Sequence, residues 1–271
     1  MNKLIILHLT DFHFGDNTKI GSKETATLIS NEIKNQYSHN EFDIIIALGG
    51  DIANKANGLK YQYAHEFLNF IKNEFVYYNL HFLLCPGNHD IENNSSSVFS
   101  NFNTFSRELR KNSNIIYNSD KTCVLEEINE FSFICVNSSY KEDQKYGSIE
   151  IAQLDKCLKN AKYPIIILTH HHLIPTYSND CSTTRNAYDF LKSLNKYNVK
   201  YILHGHIHKN SRIEICNVDV VGTSALFPCL DTGHNNSFSI IELKKVIKQD
   251  DVKQFRIILD GTGGKKLTII K

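Results

Sequence analysis

Five short polar clusters follow apolar segments of this chain, and their residue types are those that bind metal ions. Two clusters place aspartate or histidine two residues apart, at Asp11-Phe12-His13 and at Gly205-His206-Ile207-His208. Side chains two apart in an extended chain share a face, so each pair could hold one ion. The other clusters are Gly50-Asp51, Gly87-Asn88-His89-Asp90 and His170-His171-His172.

Taken one at a time, most of these clusters have a simpler interpretation. Asp11 and His13 could cap a strand, Gly50-Asp51 is typical of a turn, and three successive histidines could form a solvated loop. The segment Gly87-Asn88-His89-Asp90 is the most specific, because it groups an amide oxygen, an imidazole and a carboxylate directly after a Pro-Gly turn. The occurrence of all five clusters in one chain favours a shared metal-binding or catalytic site over five unrelated turns and loops.

The combined donor set contains oxygen and nitrogen ligands and no thiolate: Asp11, His13, Asp51, Asn88, His170, His206 and His208. Such a set suits borderline or hard divalent cations and excludes a cysteine-based zinc site. It exceeds what one tetrahedral ion needs and matches two ions that share a carboxylate. Two ions about 3.5–4 Å apart can hold a phosphoryl group and generate hydroxide at neutral pH. We therefore expect two divalent metal ions as cofactors, with Mn²⁺ the expected metal and Fe, Zn, Ni or Co as alternatives.

Apolar, β-branched segments precede the clusters and predict the strands that must position them. The predicted strands are Lys3–Thr10, Asp43–Leu48, His81–Cys85, Thr122–Glu127, Phe131–Asn137, Pro164–Thr169 and Lys200–Leu203. The predicted helices are Lys23–Gln36, Leu59–Tyr77, Val98–Lys111, Ile149–Asn160 and Arg185–Lys196. This alternation predicts an α/β fold. Ligands of such folds bind beyond the carboxyl ends of the strands, so five strand ends could converge on one pocket.

The pattern changes after residue 208, where short strands joined by turns predict an antiparallel meander. These strands are Arg212–Cys216, Val218–Thr223, Ser237–Leu243, Gln254–Leu259 and Leu267–Ile270, with a helical turn possible near Lys244–Lys248. No linker rich in proline, glycine or serine separates the two parts. We therefore expect a single domain over residues 1–271, with an α/β part at about 1–208 and an antiparallel β-rich part at about 209–271.

The composition of the 271 residues narrows the class of function. Lysine and arginine total 30 and aspartate and glutamate 29, so the net charge of +1 predicts no dense cationic surface for a dedicated nucleic-acid binder. Seven scattered cysteines without a CxxC pair favour free thiols in a reducing compartment. Neither a signal peptide nor a membrane span is evident in the sequence. We expect a cytoplasmic protein with no membrane partner.

In order along the chain, the blocks D-x-H, G-D, G-N-H-D, H and G-H-x-H resemble the signature of the calcineurin-like metallophosphoesterase superfamily. The resemblance covers residues 11–208 and includes all five blocks. It implies a four-layer αββα sandwich of two mixed β-sheets flanked by helices. It also divides the donors between two ions: Asp11, His13 and His208 for the first ion, Asn88, His170 and His206 for the second, and Asp51 as the bridge. His171 is the alternative to His170.

Two further residues receive roles from the same resemblance. His89 would contact the substrate phosphate and protonate the leaving oxygen, and Asp90 would be the neighbour that orients it. His172 is expected to be a loop residue or a support for the ligands. His8 and His204 are expected to be core histidines, because they lie in or at the ends of apolar strands.

The details of the motifs separate the branches of this superfamily. Protein serine/threonine phosphatases carry G-D-x-V-D-R-G and R-G-N-H-E, whereas this chain continues from Asp51 as Ile52-Ala53-Asn54 and has Asp90 after His89. Purple acid phosphatases add a tyrosinate ligand, for which this chain has no equivalent near Phe12. The blocks are most similar to those of bacterial cyclic-nucleotide phosphodiesterases. Repair exonucleases share them but usually add a capping domain, for which the roughly 60 residues after the last block leave little room.

We therefore expect a binuclear-metal phosphoesterase that hydrolyses a phosphodiester of a small nucleotide or cyclic nucleotide, by attack of metal-bound hydroxide with His89 as general acid. The alternatives are a metal-dependent nuclease acting on DNA or RNA, a phosphomonoesterase, and a protein-binding pseudoenzyme. The complete donor set argues against the last. Arg185 could reach a phosphate, and Asn54 or Tyr61 could line the pocket, although an ordinary surface or helix position is the simpler interpretation of each. The polar loop 173–184 is expected to determine specificity.

Overall fold

The computed structural model describes residues 2–15, 22–93, 97–111, 115–227, 236–244, 251–259 and 265–270. Its strands are β1 (Lys3–Leu9), β2 (Phe42–Leu48), β3 (Leu80–Leu84), β4 (Cys123–Ile128), β5 (Phe131–Val136), β6 (Ile165–Leu168), β7 (Val199–His204), β8 (Ser211–Ile215), β9 (Val218–Gly222), β10 (Asn236–Leu243), β11 (Val252–Leu259) and β12 (Lys265–Ile270). Its helices are α1 (Ser22–Gln36), α2 (Gly58–Glu74), α3 (Ser100–Arg110), α4 (Ile151–Asn160) and α5 (Ala187–Leu194).

The strands form two mixed sheets of six strands each. The first sheet has the order β12-β11-β10-β1-β2-β3 and the second β4-β5-β6-β7-β9-β8. Strands β1, β2 and β3 run parallel to one another, as do β5, β6, β7 and β9. The remaining pairs are antiparallel. Parallel strands are buried on both faces, so each sheet needs a covering layer on each side.

Strand β6 shows how the apolar side chains supply those layers. Ile165 and Ile167 belong to a core that includes residues of α4 and α5. Ile166 and Leu168 belong to a larger core that joins the two sheets and includes residues of α1, α2 and α3. Successive side chains of a strand point to opposite faces, so one apolar strand contributes to both cores. The result is a four-layer αββα sandwich, which confirms the predicted fold class.

The strands after residue 208 do not form the single meander predicted from sequence. Strands β8 and β9 form a hairpin at the edge of the second sheet. Strand β9 pairs in parallel with β7, with Val221 opposite Leu203. Strands β10, β11 and β12 extend the first sheet. Strand β10 pairs antiparallel with β1, with Ile240 opposite Leu7. The apolar pattern predicts a strand but not its partner, and these strands add to the edges of two different sheets. The helical turn considered near Lys244–Lys248 falls almost wholly outside the described residues.

Across the described part of the chain, no helix combines the length and apolar character needed to traverse a bilayer. Cysteines 85, 123 and 135 are buried, and like the other described cysteines they are free thiols. Cys229 lies outside the described residues. Burial raises the pKa of the Cys123 thiol to about 12. This thiol therefore stays protonated at neutral pH and behaves as a small apolar side chain.

Candidate metal centre and active site

The five polar clusters follow the carboxyl ends of five strands, and the fold brings these ends together. Asp11 follows β1, Asp51 follows β2, and Asn88 follows β3, all in the first sheet. His170 follows β6 and His206 follows β7, both in the second sheet. The carboxylate of Asp11 accepts a hydrogen bond from the main-chain N–H of His206 at 3.0 Å, which joins the two sheets. The site therefore lies at the junction of the sheets.

Five of the predicted ligands have left-handed backbone conformations. Their φ angles are 52° at Asp11, 46° at His13, 52° at Asp51, 71° at His206 and 51° at His208. Residues other than glycine adopt this region rarely, although aspartate and histidine tolerate it better than most. Such conformations persist only where the surrounding structure holds them, and they cluster at functional sites. Five of the eleven positive-φ residues other than glycine in the described part of the chain are therefore predicted ligands.

Two motif glycines allow these segments to approach closely. A Cβ atom at Gly87 would lie 2.1 Å from Oδ1 of Asp51, and one at Gly205 would lie 2.3 Å from Oδ2 of Asp11. Any larger side chain would displace one of these carboxylates. Glycine at both positions is therefore a consequence of how tightly the strand ends pack around the two aspartates.

The first group of donor atoms is formed by Asp11, His13 and His208. The Nε2 atoms of His13 and His208 are 3.0 Å apart. Oδ1 of Asp11 lies 3.3 Å from Nε2 of His208 and 3.8 Å from Nε2 of His13. All three residues could place one ligand atom each on a common ion.

The second group surrounds His170. Its Nε2 atom lies 3.0 Å from Oδ1 of Asn88, 3.1 Å from Nδ1 of His206 and 3.3 Å from Oδ2 of Asp51. The same Oδ2 atom of Asp51 lies 3.9 Å from Nε2 of His13 in the first group. Asp51 is therefore placed between the two groups, where a bridging carboxylate would be.

The distances between donor atoms fit bound cations. Donors at adjacent corners of a coordination polyhedron with bonds of about 2.1 Å are separated by about 3 Å. The separations of 3.0–3.3 Å around His170 and His208 match such edges. Several of these neighbours are lone-pair donors that repel one another unless a proton or a cation lies between them. The residues present thus fit two divalent ions that share Asp51.

The ionisation states of His206, His13 and Asp51 suit metal binding. Burial lowers the pKa of His206 to about 3 and that of His13 to about 4, so both rings are neutral at pH 7 and can donate a lone pair. Burial acts against ionisation of Asp51, but the nearby His170 holds the pKa of this carboxyl well below its usual value. Asp51 is therefore a carboxylate at neutral pH, as a bridging ligand must be. Burial acts against protonation of His170, but the adjacent Asp51 raises the pKa of this ring to about 9, so a metal ion must displace its proton.

The three successive histidines occupy different environments. Nδ1 of His170 bonds to the main-chain oxygen of Gly49 at 2.7 Å, which directs Nε2 toward the donor group. Nδ1 of His171 instead lies 2.8 Å from the hydroxyl of Ser138. His172 pairs with Asp180 at 3.0 Å. The geometry favours His170 over His171 as the ligand, and the assignment of ligand roles to all seven residues stays a prediction.

His89 lies beside the first group but is oriented differently from the expectation. Its ring centroid is 4.8 Å from that of His13, and its main-chain N–H donates to Oδ1 of Asp51 at 2.8 Å. The ring Nδ1 lies 3.2 Å from the main-chain oxygen of Asn54. The prediction that Asp90 orients His89 is therefore corrected, because a main-chain oxygen of the neighbouring loop makes that contact.

Asp90 instead stabilises the turn that carries Asn88. Its Oδ1 accepts a hydrogen bond from the hydroxyl of Tyr61 at 2.6 Å, and its Oδ2 accepts one from the N–H of Gly87 at 2.9 Å. Burial and the charge of Asp51 raise the pKa of Asp90 to about 6. Tyr61 is itself only 3% exposed, so it does not line the pocket entrance as considered from sequence.

A cleft of about 720 Å³ opens next to this centre and includes Asn88 and His89 in its wall. The other lining residues are mostly polar: Asn54, Lys55, Ala56, Asn57, Ile91, Glu92, Asn93, Gln144 and Lys145. Asn54 therefore lies at the cleft, as considered from sequence. Arg185 is not among its lining residues, and its guanidinium pairs with Asp143 at 3.0 Å and lies 3.9 Å from the ring centroid of Tyr146.

Sequence reasoning missed Gln144. Its main-chain oxygen accepts a hydrogen bond from Nδ2 of Asn88 at 3.0 Å. The contact joins residues 56 positions apart through a backbone atom that every residue type possesses. No residue-type signal in the sequence could have identified it.

Comparison with known proteins agrees with this geometry. Residues 4–210 match the family model described as calcineurin-like phosphoesterase. A probable cyclic nucleotide phosphodiesterase of Xenorhabdus bovienii is 27% identical over 218 residues, which cover 75% of this chain and 78% of the relative. The 3′,5′-cyclic adenosine monophosphate phosphodiesterase CpdA of Haemophilus influenzae is 25% identical over 232 residues, covering 81% of this chain and 75% of the relative.

Solved structures share the fold at low sequence identity. A dimetal phosphatase from Danio rerio has a TM-score of 0.61 and 13% identity, with complete coverage of both chains. A purple acid phosphatase from yellow lupin has a TM-score of 0.61 and 15% identity, covering 99% of this chain and 52% of that protein. The family match covers most of the chain and includes the strand ends that hold the metal-binding groups. This chain therefore belongs to the calcineurin-like phosphoesterase family and is a metal-dependent phosphoester hydrolase.

Proposed function

We propose that this protein hydrolyses phosphodiester bonds of small nucleotides, with cyclic nucleotides as the first candidates. The observation that carries the proposal is the meeting of two donor groups at Asp51, directly beside an open cleft that His89 lines. Two bound divalent ions would supply Lewis-acid activation of the phosphoryl group and of a water molecule. Relatives named cyclic nucleotide phosphodiesterases support the substrate class.

The residues of the chain would divide the work as follows. Asp11, His13 and His208 hold one ion, and Asn88, His170 and His206 hold the other, with Asp51 shared. His89 holds a proton at the edge of the cleft and delivers it to the departing oxygen, while the carbonyl of Asn54 fixes the tautomer of its ring. Proton delivery matters here because an alkoxide is a poor leaving group.

The cleft suits a small, polar substrate. Its volume of about 720 Å³ lies within the range of about 300–1,000 Å³ typical of small-molecule sites. Oδ1 of Asn57 caps α2 and Nε2 of Gln144 donates to Oδ1 of Asn93, and the remaining amide atoms of these side chains could bond to a nucleobase. The net charge of +1 shows no overall excess of cationic groups, which a long polyanion would favour. These features favour a nucleotide over a nucleic acid.

Manganese as the metal and the cytoplasm as the location belong to the same proposal. Nitrogen and oxygen donors of this mixture accept Mn²⁺ among several divalent ions. The buried free thiols of Cys85, Cys123 and Cys135 support a reducing compartment.

The test is a substrate panel on protein of measured metal content. The panel contains 3′,5′- and 2′,3′-cyclic nucleotides, bis-p-nitrophenyl phosphate, p-nitrophenyl phosphate, and labelled single- and double-stranded DNA and RNA, each with Mn²⁺. We expect cyclic nucleotides to give the highest kcat/KM. Preference for DNA or RNA would establish a nuclease, preference for the monoester a phosphomonoesterase, and turnover of none of them would overturn the proposal.

A matched pair of variants tests the site within the same assay. His206→Ala removes a proposed ligand, and we expect it to lower both metal content and turnover. His39→Ala removes an exposed histidine outside the site and should change neither. Unchanged turnover and metal content in His206→Ala would show that the ligand assignment is wrong.

A further inference from the structure

The orientation of the Asn88 side chain depends on a contact outside the metal-binding clusters. Its Nδ2 atom donates to the main-chain oxygen of Gln144 at 3.0 Å, while its Oδ1 atom faces Nε2 of His170 at 3.0 Å. An amide has a donor end and an acceptor end, so an acceptor at one end directs the other toward the donor group. The Gln144 oxygen is the described acceptor that holds Nδ2 away from the donor group.

The Gln144 oxygen is held in place by a side-chain-stabilised turn of residues 143–146. Oδ1 of Asp143 accepts hydrogen bonds from the N–H groups of Lys145 at 2.8 Å and Tyr146 at 3.0 Å. Its other oxygen pairs with the guanidinium of Arg185 at 3.0 Å, and this guanidinium also lies over the ring of Tyr146. The aspartate thus stabilises the turn, and the half-exposed arginine pairs with the aspartate and packs on Tyr146.

The downstream end of the turn is fixed to the segment that precedes α5. Gly147 donates its N–H to the oxygen of Thr183 at 3.1 Å and accepts from the N–H of Arg185 at 2.9 Å. A Cβ atom at Gly147 would lie 2.6 Å from Cβ of His171, so glycine is needed for this close approach. The turn is therefore anchored beside the His170 group as well as on Asn88.

We propose that Asp143 and Arg185 are positioning residues for the half of the metal centre formed by Asn88, His170 and His206. They act through the main-chain oxygen of Gln144, which keeps Oδ1 of Asn88 directed at the ion. This inference rests on the proposed function, because it assumes that Asn88 is a ligand. It assigns Arg185 to support of the site, whereas an ordinary surface position was the simpler interpretation from sequence and contact with a substrate phosphate the alternative.

The test compares Asp143→Ala with a matched control in a similar turn elsewhere. Oδ1 of Asn118 also accepts hydrogen bonds from the N–H groups two and three residues later, Asp120 at 2.9 Å and Lys121 at 2.8 Å. Asn118→Ala therefore removes the same kind of turn away from the cleft. Asp143→Asn is the conservative variant, because its amide oxygen can still accept the hydrogen bonds of the turn.

Chelator-treated protein is titrated with Mn²⁺, and binding is monitored by calorimetry and by the EPR signal of free Mn²⁺. Thermal unfolding of each variant checks that it is folded. We expect wild type to bind two ions. In Asp143→Ala the ion held by Asp11, His13 and His208 should bind as in wild type. The ion held by Asn88, His170 and His206 should bind about 10-fold or more weakly, which is the size of effect typical of groups that orient ligands. Asp143→Asn should recover only part of the loss, because it keeps the hydrogen bonds of the turn but removes the ion pair with Arg185, and Asn118→Ala should match wild type.

The outcomes separate this inference from the function on which it rests. Fewer than two ions bound by wild type would contradict the metal centre itself. Two ions bound with unchanged affinities by Asp143→Ala would overturn the positioning inference and leave the proposed function intact. An equal weakening of both ions, with a lowered Tm, would show a general loss of folding and would also overturn the inference.

Discussion

His89 lies at the cleft beside the proposed ligands, and like His170 it has its ring Nδ1 next to a main-chain oxygen. Its ring is held by the carbonyl of Asn54, a neutral group, and its main chain by the carboxylate of Asp51. The ring lies beside His13 at the cleft, where a substrate oxygen can reach it. His13, Asp51 and His89 could also place one ligand atom each on a common ion, so proton transfer by His89 and metal binding by His89 must be separated by experiment.

At the residue scale, we therefore expect the effect of His89→Ala to depend on the leaving group. Loss of a general acid typically costs about 100–10,000-fold in rate when the leaving oxygen must be protonated. The loss should be of this size for a cyclic nucleotide, which releases an alkoxide, and much smaller for bis-p-nitrophenyl phosphate, whose leaving group is a stable phenolate. Measurement of kcat for both substrates, at equal metal content, checks this.

The contradicting result is an equal loss on both substrates, which would assign His89 to binding of the metal or the phosphate. His65→Ala is a suitable control, because this histidine pairs with Glu108 at 3.0 Å and is not among the lining residues of the cleft.

At the scale of elements, helix α2 supports the turn after β3 through one buried hydrogen bond. The hydroxyl of Tyr61 on this helix donates to Asp90 at 2.6 Å. The same carboxyl accepts from the N–H of Gly87 and lies 3.4 Å from the N–H of Ile52. The helix thus holds the segment that presents Asn88.

We expect Tyr61→Phe to lower the free energy of unfolding by about 1.5–3 kcal/mol, because it leaves a buried carboxyl without one of its donors. Urea unfolding monitored by circular dichroism measures this. Tyr188→Phe is the matched control, because Tyr188 on α5 is 77% exposed. Equal stability of Tyr61→Phe and wild type would contradict the assigned role of this hydrogen bond.

Loop 173–184, expected from sequence to determine specificity, is organised around a buried carboxylate. Asp180 accepts hydrogen bonds from the N–H of Thr176 at 3.0 Å and the hydroxyl of Ser182 at 2.7 Å, and it pairs with His172. Burial opposes ionisation, but these donors hold the pKa of Asp180 well below its usual value. The ionised form of Asp180 therefore stabilises the loop more than the protonated form does.

The sign of the pH dependence follows from this lowered pKa. The folded protein binds the proton of Asp180 less readily than the unfolded chain, so the stabilisation is present above the ordinary pKa of about 4 and is lost as the pH falls below it. We expect Asp180→Asn to be less stable than wild type at pH 7 by about 1–3 kcal/mol, with the difference shrinking toward pH 3. Urea unfolding at several pH values checks this. The exposed Asp120→Asn is the control, and a difference independent of pH would contradict the prediction.

At the scale of the whole molecule, the two sheets contribute complementary parts of one centre. Asp51 comes from the first sheet and His170 from the second, and their side chains are 3.3 Å apart. An ion bound between them requires both sheets to be folded and correctly placed. Metal binding and folding should therefore be coupled across the entire chain.

We expect a single cooperative unfolding transition for residues 1–271, shifted to higher urea by Mn²⁺. A ligand that binds only the folded state adds about 2.7 kcal/mol per site at 100 times its Kd. Urea titrations with Mn²⁺ and with a chelator measure the increase in the free energy of unfolding. This increase should be smaller for His206→Ala than for wild type. Two separate transitions would contradict the single domain, and an equal midpoint with and without metal would contradict binding between the sheets.

The sequence by itself determined the strands, the helices and the polar clusters at the strand ends. Strand β2, for example, was predicted at Asp43–Leu48 and lies at Phe42–Leu48. These features are local, because a run of apolar side chains and the chemistry of the residues that follow can be read without knowledge of the rest of the chain. The family resemblance, which the family match confirms, rests on the same local information.

Only the tertiary structure decided which groups support those clusters. It separated β8 and β9 from β10, placed Tyr61 behind the site, and set the carbonyls of Asn54 and Gln144 against His89 and Asn88. Main-chain oxygens carry no residue-type signal, and an edge strand can pair with either sheet until packing selects one. The sequence therefore specified the chemistry of the centre, and the folding of distant segments onto it specified the orientation of each group.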